Sequence, residues 1–175
     1  MGNRERFERL VTPVIDQLYR FAVRLTGDPV TAEDLLQVAL VRGLDRVGQL
    51  HADSAFGAWQ SRVLYTTFVN ERSRVQRNAV DVGLADSNVL PFERANVERE
   101  VSRREVGRFI GDALDGLPPD QREAVWLVDG QGLKFGEAAG VLGIAPGTVA
   151  SRVARGRLTL RGVLTELAVA EGVIR

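Results

Sequence analysis

Apolar residues recur at intervals of three and four along almost the whole chain, and no alternating apolar–polar run persists. An α-helix turns about every 3.6 residues, so this spacing gathers them on one face. The expected fold class is therefore all-α. Phe7, Leu10, Val11, Val14, Leu18, Phe21, Ala22 and Leu25 form one stripe, which predicts a single helix over residues 5–26, ended by Gly27-Asp28-Pro29. Thr31, with Asp34 three residues on, opens a second helix whose buried face is Leu35, Leu36, Ala39, Leu40 and Leu44. Residues 48–53 read as a loop. Ser54 can cap a third helix carrying Phe56, Trp59, Val63, Leu64 and Phe68 and ending near Gln76. Phe56 and Trp59 fall at core spacing in it.

Periodicity lapses between Asn78 and Asn96, where Gly83, Asp86, Ser87, Asn88 and Pro91 interrupt it and acids outnumber Arg94. This stretch reads as an extended, slightly acidic linker. Helical spacing resumes at Val97 and runs to about Gly116, where Pro118-Pro119 breaks it. Asp120 and Glu123 fit the cap of a helix holding Ala124, Val125, Leu127 and Val128, ended by Gly130 and Gly132. Two further helices are predicted, Phe135–Leu142 and Pro146–Ala170. The organisation is two small helical domains, residues 1–78 and 98–175, joined by a linker over residues 79–97. The 175 residues suffice for two such cores.

Composition removes several functions. The chain has no cysteine and one histidine, His51, which rules out disulfides and thiolate metal sites and disfavours a His-dependent triad. It shows no metal-ligand cluster, no phosphate-cradling glycine loop followed by lysine and no nucleophile–base pairing, so neither an enzyme nor a cofactor is expected. With no signal-like start and no long apolar run, the expectation is a cytoplasmic protein without membrane insertion. The formal net charge of +0 conceals an uneven distribution. Between Pro146 and Leu164 the only charged residues are Arg152, Arg155, Arg157 and Arg161.

That basic stretch lies in a helix-turn-helix pattern over residues 133–164. Such a motif needs two short helices at a steep angle, a tight turn and small residues where they touch. Ala138 and Ala139 are small, Gly143 can take a left-handed turn conformation, Ile144 suits the corner, and Pro146 fits the first position of the next helix. Val149 and Val153 then face the core, leaving Thr148, Ser151, Arg152 and Arg155 as the predicted outer face. Arginine can pair bidentately with guanine in the major groove, and hydroxyls can hold phosphate or a base edge. The plainer reading is a solvated arginine face; the accompanying turn chemistry favours DNA. Neutralising about four phosphates makes binding fall on the order of 10²-fold for fourfold more salt, a modest footprint that calls for a partner.

Leu117-Pro-Pro-Asp-Gln-Arg-Glu-Ala-Val125, Gly132-Leu-Lys-Phe-Gly-Glu-Ala-Ala139 and Leu142-Gly-Ile-Ala-Pro-Gly-Thr-Val-Ala-Ser-Arg-Val153 together resemble the sigma-4 domain of bacterial sigma factors, in particular the extracytoplasmic-function (ECF) group. Tyr19-Arg-Phe-Ala-Val-Arg-Leu-Thr-Gly27, Ala32-Glu-Asp-Leu-Leu-Gln37 and Phe56-Gly-Ala-Trp59 resemble that group's sigma-2 domain. The resemblance implies a protein that binds core RNA polymerase, places it on promoter DNA and helps open the duplex. It also implies an anti-sigma factor. Thr148, Ser151, Arg152, Arg155 and Arg157 would meet the upstream element. Arg62, Thr66, Asn70, Arg72, Arg74 and Arg77 would meet the downstream element, captured as a single strand by the loop Gly48–Ala55. Glu33, Asp34 and Gln37 match the polymerase-contact segment, although Asp34 alone could be a capping carboxylate. Ala150, Ala154, Val38 and Thr66 depart from residues common in the family at those places. A self-sufficient helix-turn-helix regulator and a helical adaptor without DNA are the alternatives.

A linker of about 20 residues spans roughly 66–72 Å when extended, close to the roughly 70 Å of two duplex turns. As a relaxed coil it averages only about 25 Å. The free protein should therefore be more compact than the polymerase-bound one. Small-angle scattering, with the polymerase contrast-matched, should give a clearly larger radius for the bound chain; equal radii would contradict an extended linker.

Overall fold

The computed structural model describes residues 2–81 and 110–170, and these are helical, with no strand among them. They fall into two compact units, the first holding residues 2–81 and the second nearly all of 110–170. The extended linker over 79–97 and residues 97–109 of the helix expected from Val97 to about Gly116 lie outside the described residues, except that 79–81 are helical; residues 110–115 of that helix are helical as expected. Among the described residues no helix is long and apolar enough to cross a membrane.

The first unit comprises α1 (Asn3–Val11), α2 (Ile15–Thr26), α3 (Pro29–Arg46) and α4 (Phe56–Asp81). The single helix predicted over 5–26 is two helices. Pro13 cannot donate a backbone hydrogen bond, and Thr12–Val14 tightens into a 3₁₀ turn there. Gly27 ends α2 with φ +74°, the left-handed form that glycine adopts without strain. The next helix starts two residues earlier than Thr31 suggested. Asp28 is its cap, accepting bonds from the Thr31 N–H and hydroxyl, both at 2.7 Å, and Pro29 takes the first helical position. These bonds, the hydroxyl's first, hold the Asp28 carboxyl below its ordinary range. Ser54 does not cap the long helix; it lies inside a short 3₁₀ turn, Asp53–Ala55, that leads into α4. At its other end α4 runs five residues past Gln76, to Asp81.

The core of this unit includes Phe7 and Val11 of α1 with Leu18, Phe21, Ala22, Ala32, Ala39, Phe56 and Leu64 of α2, α3 and α4, which pack on one another. Gln60 is buried with them, and its Nε2 donates to the Ala39 carbonyl at 2.8 Å. A Cβ at Gly43 would stand 2.1 Å from the Gln60 Oε1. The bare backbone of Gly43 thus lets the amide of α4 lie directly on α3. This explains a glycine in the middle of a helix, which otherwise costs about 1 kcal/mol relative to alanine.

The second unit comprises α5 (residues 110–115), α6 (Pro119–Val125), α7 (Phe135–Leu142) and α8 (Pro146–Ala170), with a wider π turn over Trp126–Gly130 after α6. Leu114, Leu117 and Val125 form its core with Trp126 and Leu160 packed against them. Asp120 does not cap α6: the cap position is Pro118, without a side-chain bond. The Arg122 guanidinium instead donates to the Asp115 and Leu117 carbonyls, each at 2.9 Å, satisfying the chain where α5 ends. Gly156 of α8 faces α6 so closely that a Cβ would lie 2.6 Å from Val125 Cγ2. Gly162, further along α8, has nothing within 4 Å of its Cβ position.

These two glycines give opposite expectations. Gly162→Ala should stabilise by up to about 1 kcal/mol through helix propensity alone. Gly156→Ala should destabilise by about 1–3 kcal/mol because a stiff valine blocks the new methyl. Urea denaturation of the two variants decides this, and a stabilised Gly156→Ala would refute the close packing.

Candidate nucleic-acid interface

The helix-turn-helix is built as the residues predict. Glu137 reaches back to accept the Lys134 N–H at 2.8 Å, satisfying one open donor at the start of α7. Gly143 adopts φ +69°, and its N–H and that of Ile144 donate to the Ala139 carbonyl at 2.9 and 3.2 Å. The Ala145 carbonyl accepts the Thr148 and Val149 N–H groups and starts α8 behind Pro146. Ala138, Ala139, Val149 and Val153 are all buried. Their burial fixes the rotation of α8 about its axis.

That rotation divides the five predicted upstream-contact residues. Thr148, Ser151 and Arg155 are exposed on one face, at helical spacing i, i+3 and i+7. The Ser151 hydroxyl donates to the Thr148 carbonyl at 2.9 Å, leaving its lone pairs outward, and Arg155 Nε donates to the Ser151 carbonyl at 3.3 Å. Arg152 does not share the outer face that the spacing predicted. Four residues past Thr148 it is rotated by about 40° toward the buried side, and its Nε lies 3.2 Å from Asp120 Oδ2, with 24% of the side chain exposed. Arg157 lies on a different flank, in a two-pronged pair with Asp129 at 2.5 and 2.9 Å. Hydrogen bonds to the Asp129 carboxylate, and then its charge, push the Arg157 guanidinium pKa further up. Asp120 and Asp129 carry no local sequence signal for these roles, because each partner is more than one element away.

In the first unit, Arg62, Thr66, Asn70 and Arg77 are exposed along one side of α4, opposite the buried Gln60, Leu64 and Thr67. Arg72 and Arg74 are also exposed, on the two flanks of that stripe. Arg74 is paired with Glu71 at 2.9 Å, and Arg77 Nε donates to the Ser73 carbonyl at 3.2 Å. The buried side is held by Arg42, which donates to the Thr67 hydroxyl at 3.1 Å.

Glu33, Asp34 and Gln37 are all exposed on α3. Asp34 is not a capping carboxylate, since Asp28 caps that helix. The same outer side carries Val30, Val38 and Val41, with 70%, 43% and 61% of their surface exposed. The valine standing in place of an acid after Gln37 is thus one of three apolar side chains left uncovered beside two carboxylates.

Between α3 and α4 the segment 48–55 has a defined shape. Leu50 is buried while Gly48, Gln49, His51 and Ala52 are exposed. Phe56 is core, stacked edge-on to Phe7 with ring centroids 5.5 Å apart; Trp59 is half-buried, 5.9 Å from Phe56. The residues that hold the segment were not foreseen. Arg6 of α1 donates to Asp53 Oδ1 from Nε at 2.9 Å and Nη2 at 2.7 Å, to the Leu50 carbonyl at 3.0 Å and to the Val47 carbonyl at 3.3 Å. Arg9 donates to Asp53 Oδ2 at 2.5 Å. Bonds from Arg9 and then Arg6 hold the Asp53 carboxyl below its ordinary range. These partners are 41–47 residues apart, so no sequence spacing could reveal them.

Two helical units, one ending in a helix-turn-helix and the other carrying a polar and basic stripe on its longest helix, define a nucleic-acid-binding protein of two modules. Residues 10–78 match Sigma-70 region 2 and residues 110–160 match Sigma-70, region 4. The chain is 36% identical over 163 residues to the ECF RNA polymerase sigma factor SigE of Mycolicibacterium smegmatis, covering 91% of this chain and 62% of that protein. It is 32% identical to the ECF RNA polymerase sigma factor EcfG of Rhodopseudomonas palustris, covering 88% of this chain and 82% of that one. The sigma factor RpoE of Bartonella quintana, solved in complex with the anti-sigma factor NepR, superposes with a TM-score of 0.75 at 27% identity, over 91% of this chain and 96% of that one. CnrH, solved in complex with the cytosolic domain of CnrY, shares the fold with a TM-score of 0.65 at 23% identity, over 94% of this chain and 91% of that one. The chain belongs to the ECF RNA polymerase sigma factors, which direct transcription initiation.

The division of the α8 arginines has a stability consequence. Arg152→Ala should lower stability by about 0.5–1 kcal/mol by releasing Asp120, whereas Arg155→Ala should leave it unchanged. Denaturation midpoints of the two variants check this; equal losses would show that the two arginines share one environment.

Proposed function

We propose that this chain binds core RNA polymerase through the outer side of α3 and then contacts a promoter at two places. Glu33, Asp34 and Gln37 supply polar contacts there, and Val30, Val38 and Val41 supply apolar area, each valine being worth up to about 1.5–3 kcal/mol when fully covered. Thr148, Ser151 and Arg155 read the upstream element in the major groove. Arg152 buttresses them from its pair with Asp120, and Arg157 reaches phosphate only by leaving Asp129. On α4, Thr66 and Asn70 meet the bases of the downstream single strand while Arg62, Arg72, Arg74 and Arg77 follow its phosphates. We take the modules to be residues 1–78 and 98–175, with 79–97 as the connection. The chain acts in the cytoplasm, without enzymatic activity of its own, and an anti-sigma factor regulates it by covering the same surfaces.

The observation that carries this reading is that each module leaves one polar and basic helical stripe exposed while burying the opposite side of the same helix. A three-residue reading face is small, and that is why polymerase is needed to hold it on DNA.

Transcription reconstituted with core polymerase on fragmented genomic DNA tests the proposal. Defined start sites sharing two sequence elements are expected. Arg155→Ala should lower output from those starts about tenfold, the scale of one lost bidentate base contact. Tight duplex binding without any polymerase-dependent transcript would instead identify a free-standing regulator.

A further inference from the structure

Side chains of α1 hold the segment 48–55. Arg6 uses its guanidinium as a bracket, binding Val47 and Leu50 at one end of the segment and Asp53 at the other. A planar fork with several fixed donors can do this, and a point charge cannot. Arg9 occupies the second oxygen of Asp53, so both carboxylate oxygens are engaged by α1. The end of the segment nearest α3 also runs close to α1, where a Cβ added at Gly48 would stand 3.2 Å from Asn3 Nδ2. Leu50 is pinned inward, and the exposed backbone at 48–49 and 51–52 projects between the fixed points.

We propose that Arg6 and Asp53 are positioning residues that shape this segment for base selection by bracing it before DNA arrives. The inference rests on the reading of 48–55 as the loop that captures an extruded base. A base taken out of the stack needs a pocket already in place, because a loop that must order on binding spends affinity on its own conformational entropy. Neither Arg6 nor Asp53 needs to touch DNA. The bracket sets where the exposed backbone stands, and through that which base fits.

Charge makes the test decisive. Asp53→Asn removes a negative charge, so simple attraction to phosphates would tighten single-strand binding. A positioning role predicts instead a loss of preference between bases. Holoenzyme assembled from the full chain and core polymerase is offered partly melted promoter fragments randomised across the downstream element. Wild type, Arg6→Ala, Arg6→Lys, Asp53→Asn and the double variant Arg6→Ala/Asp53→Asn are compared, with circular dichroism confirming that each folds. The ratio of preferred to rejected base should fall about tenfold in every single variant, the scale of re-ordering one backbone residue. Lysine should not rescue, the double variant should be no worse than either alanine or asparagine alone, and preference at the upstream element should be unchanged. Undiminished preference in Asp53→Asn, rescue by Arg6→Lys, or multiplicative losses in the double variant would each overturn the bracing role while leaving the loop's reading intact. A wild-type holoenzyme without downstream base preference would overturn the loop's reading itself, and the bracing role with it.

Discussion

The close approach of α3 and α4 at Gly43 and Gln60 sets the rest of the first module. With the Gln60 amide lying on bare backbone and bonded to Ala39, α4 has one rotational setting about its axis. Everything on the opposite side of α4 is then forced outward, which is how Arg62, Thr66, Asn70 and Arg77 come to share a stripe. The second module uses the same device. Gly156 lets α8 sit against Val125 of α6, and Val149 and Val153 complete the setting, so Thr148, Ser151 and Arg155 face solvent together. In both modules a glycine that weakens the isolated helix fixes the direction of the exposed stripe.

Carboxylates complete the arrangement in a way that burial alone does not. Asp120 and Asp129 hold Arg152 and Arg157 on the flanks of α8. Asp53 holds Arg6 and Arg9 of α1 at the segment before α4. Each pair is partly exposed, so each is modest in energy. Their effect is to choose a geometry: arginines that would otherwise sample many rotamers are committed, and Arg155 is left facing outward beside Thr148 and Ser151. A chain with a formal net charge of +0 thus presents local basic stripes, while Asp53, Asp120 and Asp129 pair with arginines and Glu33 and Asp34 lie on the outer side of α3.

Much of the fold was legible because helical periodicity and turn chemistry are local. The bounds Phe135–Leu142 and Pro146–Ala170 follow directly from Gly143 and Pro146, and the structure has them. Errors arose where a local signal competed with another. Pro13 lies inside an otherwise continuous stripe, and Thr31 imitates a cap that Asp28 provides. Asp120 has the right residue type for a cap and is used for Arg152. At the candidate site, helical spacing placed Thr148, Ser151 and Arg155 on one face, whereas the residues of the α4 stripe came from the family resemblance. Spacing could not find what depends on contacts between distant segments: the inward turn of Arg152, the pairing of Arg157, the Gly43–Gln60 seat, or the Arg6 bracket.

We propose that the stripes on α4 and α8 meet different parts of one promoter. Photoreactive side chains placed singly at Thr66 and at Ser151, in holoenzyme bound to one promoter, test it most directly. Cross-links from position 66 should fall on melted single strand, and those from 151 on duplex about two helical turns upstream. Cross-links from both positions to the same stretch of DNA would show instead that the two stripes share one element.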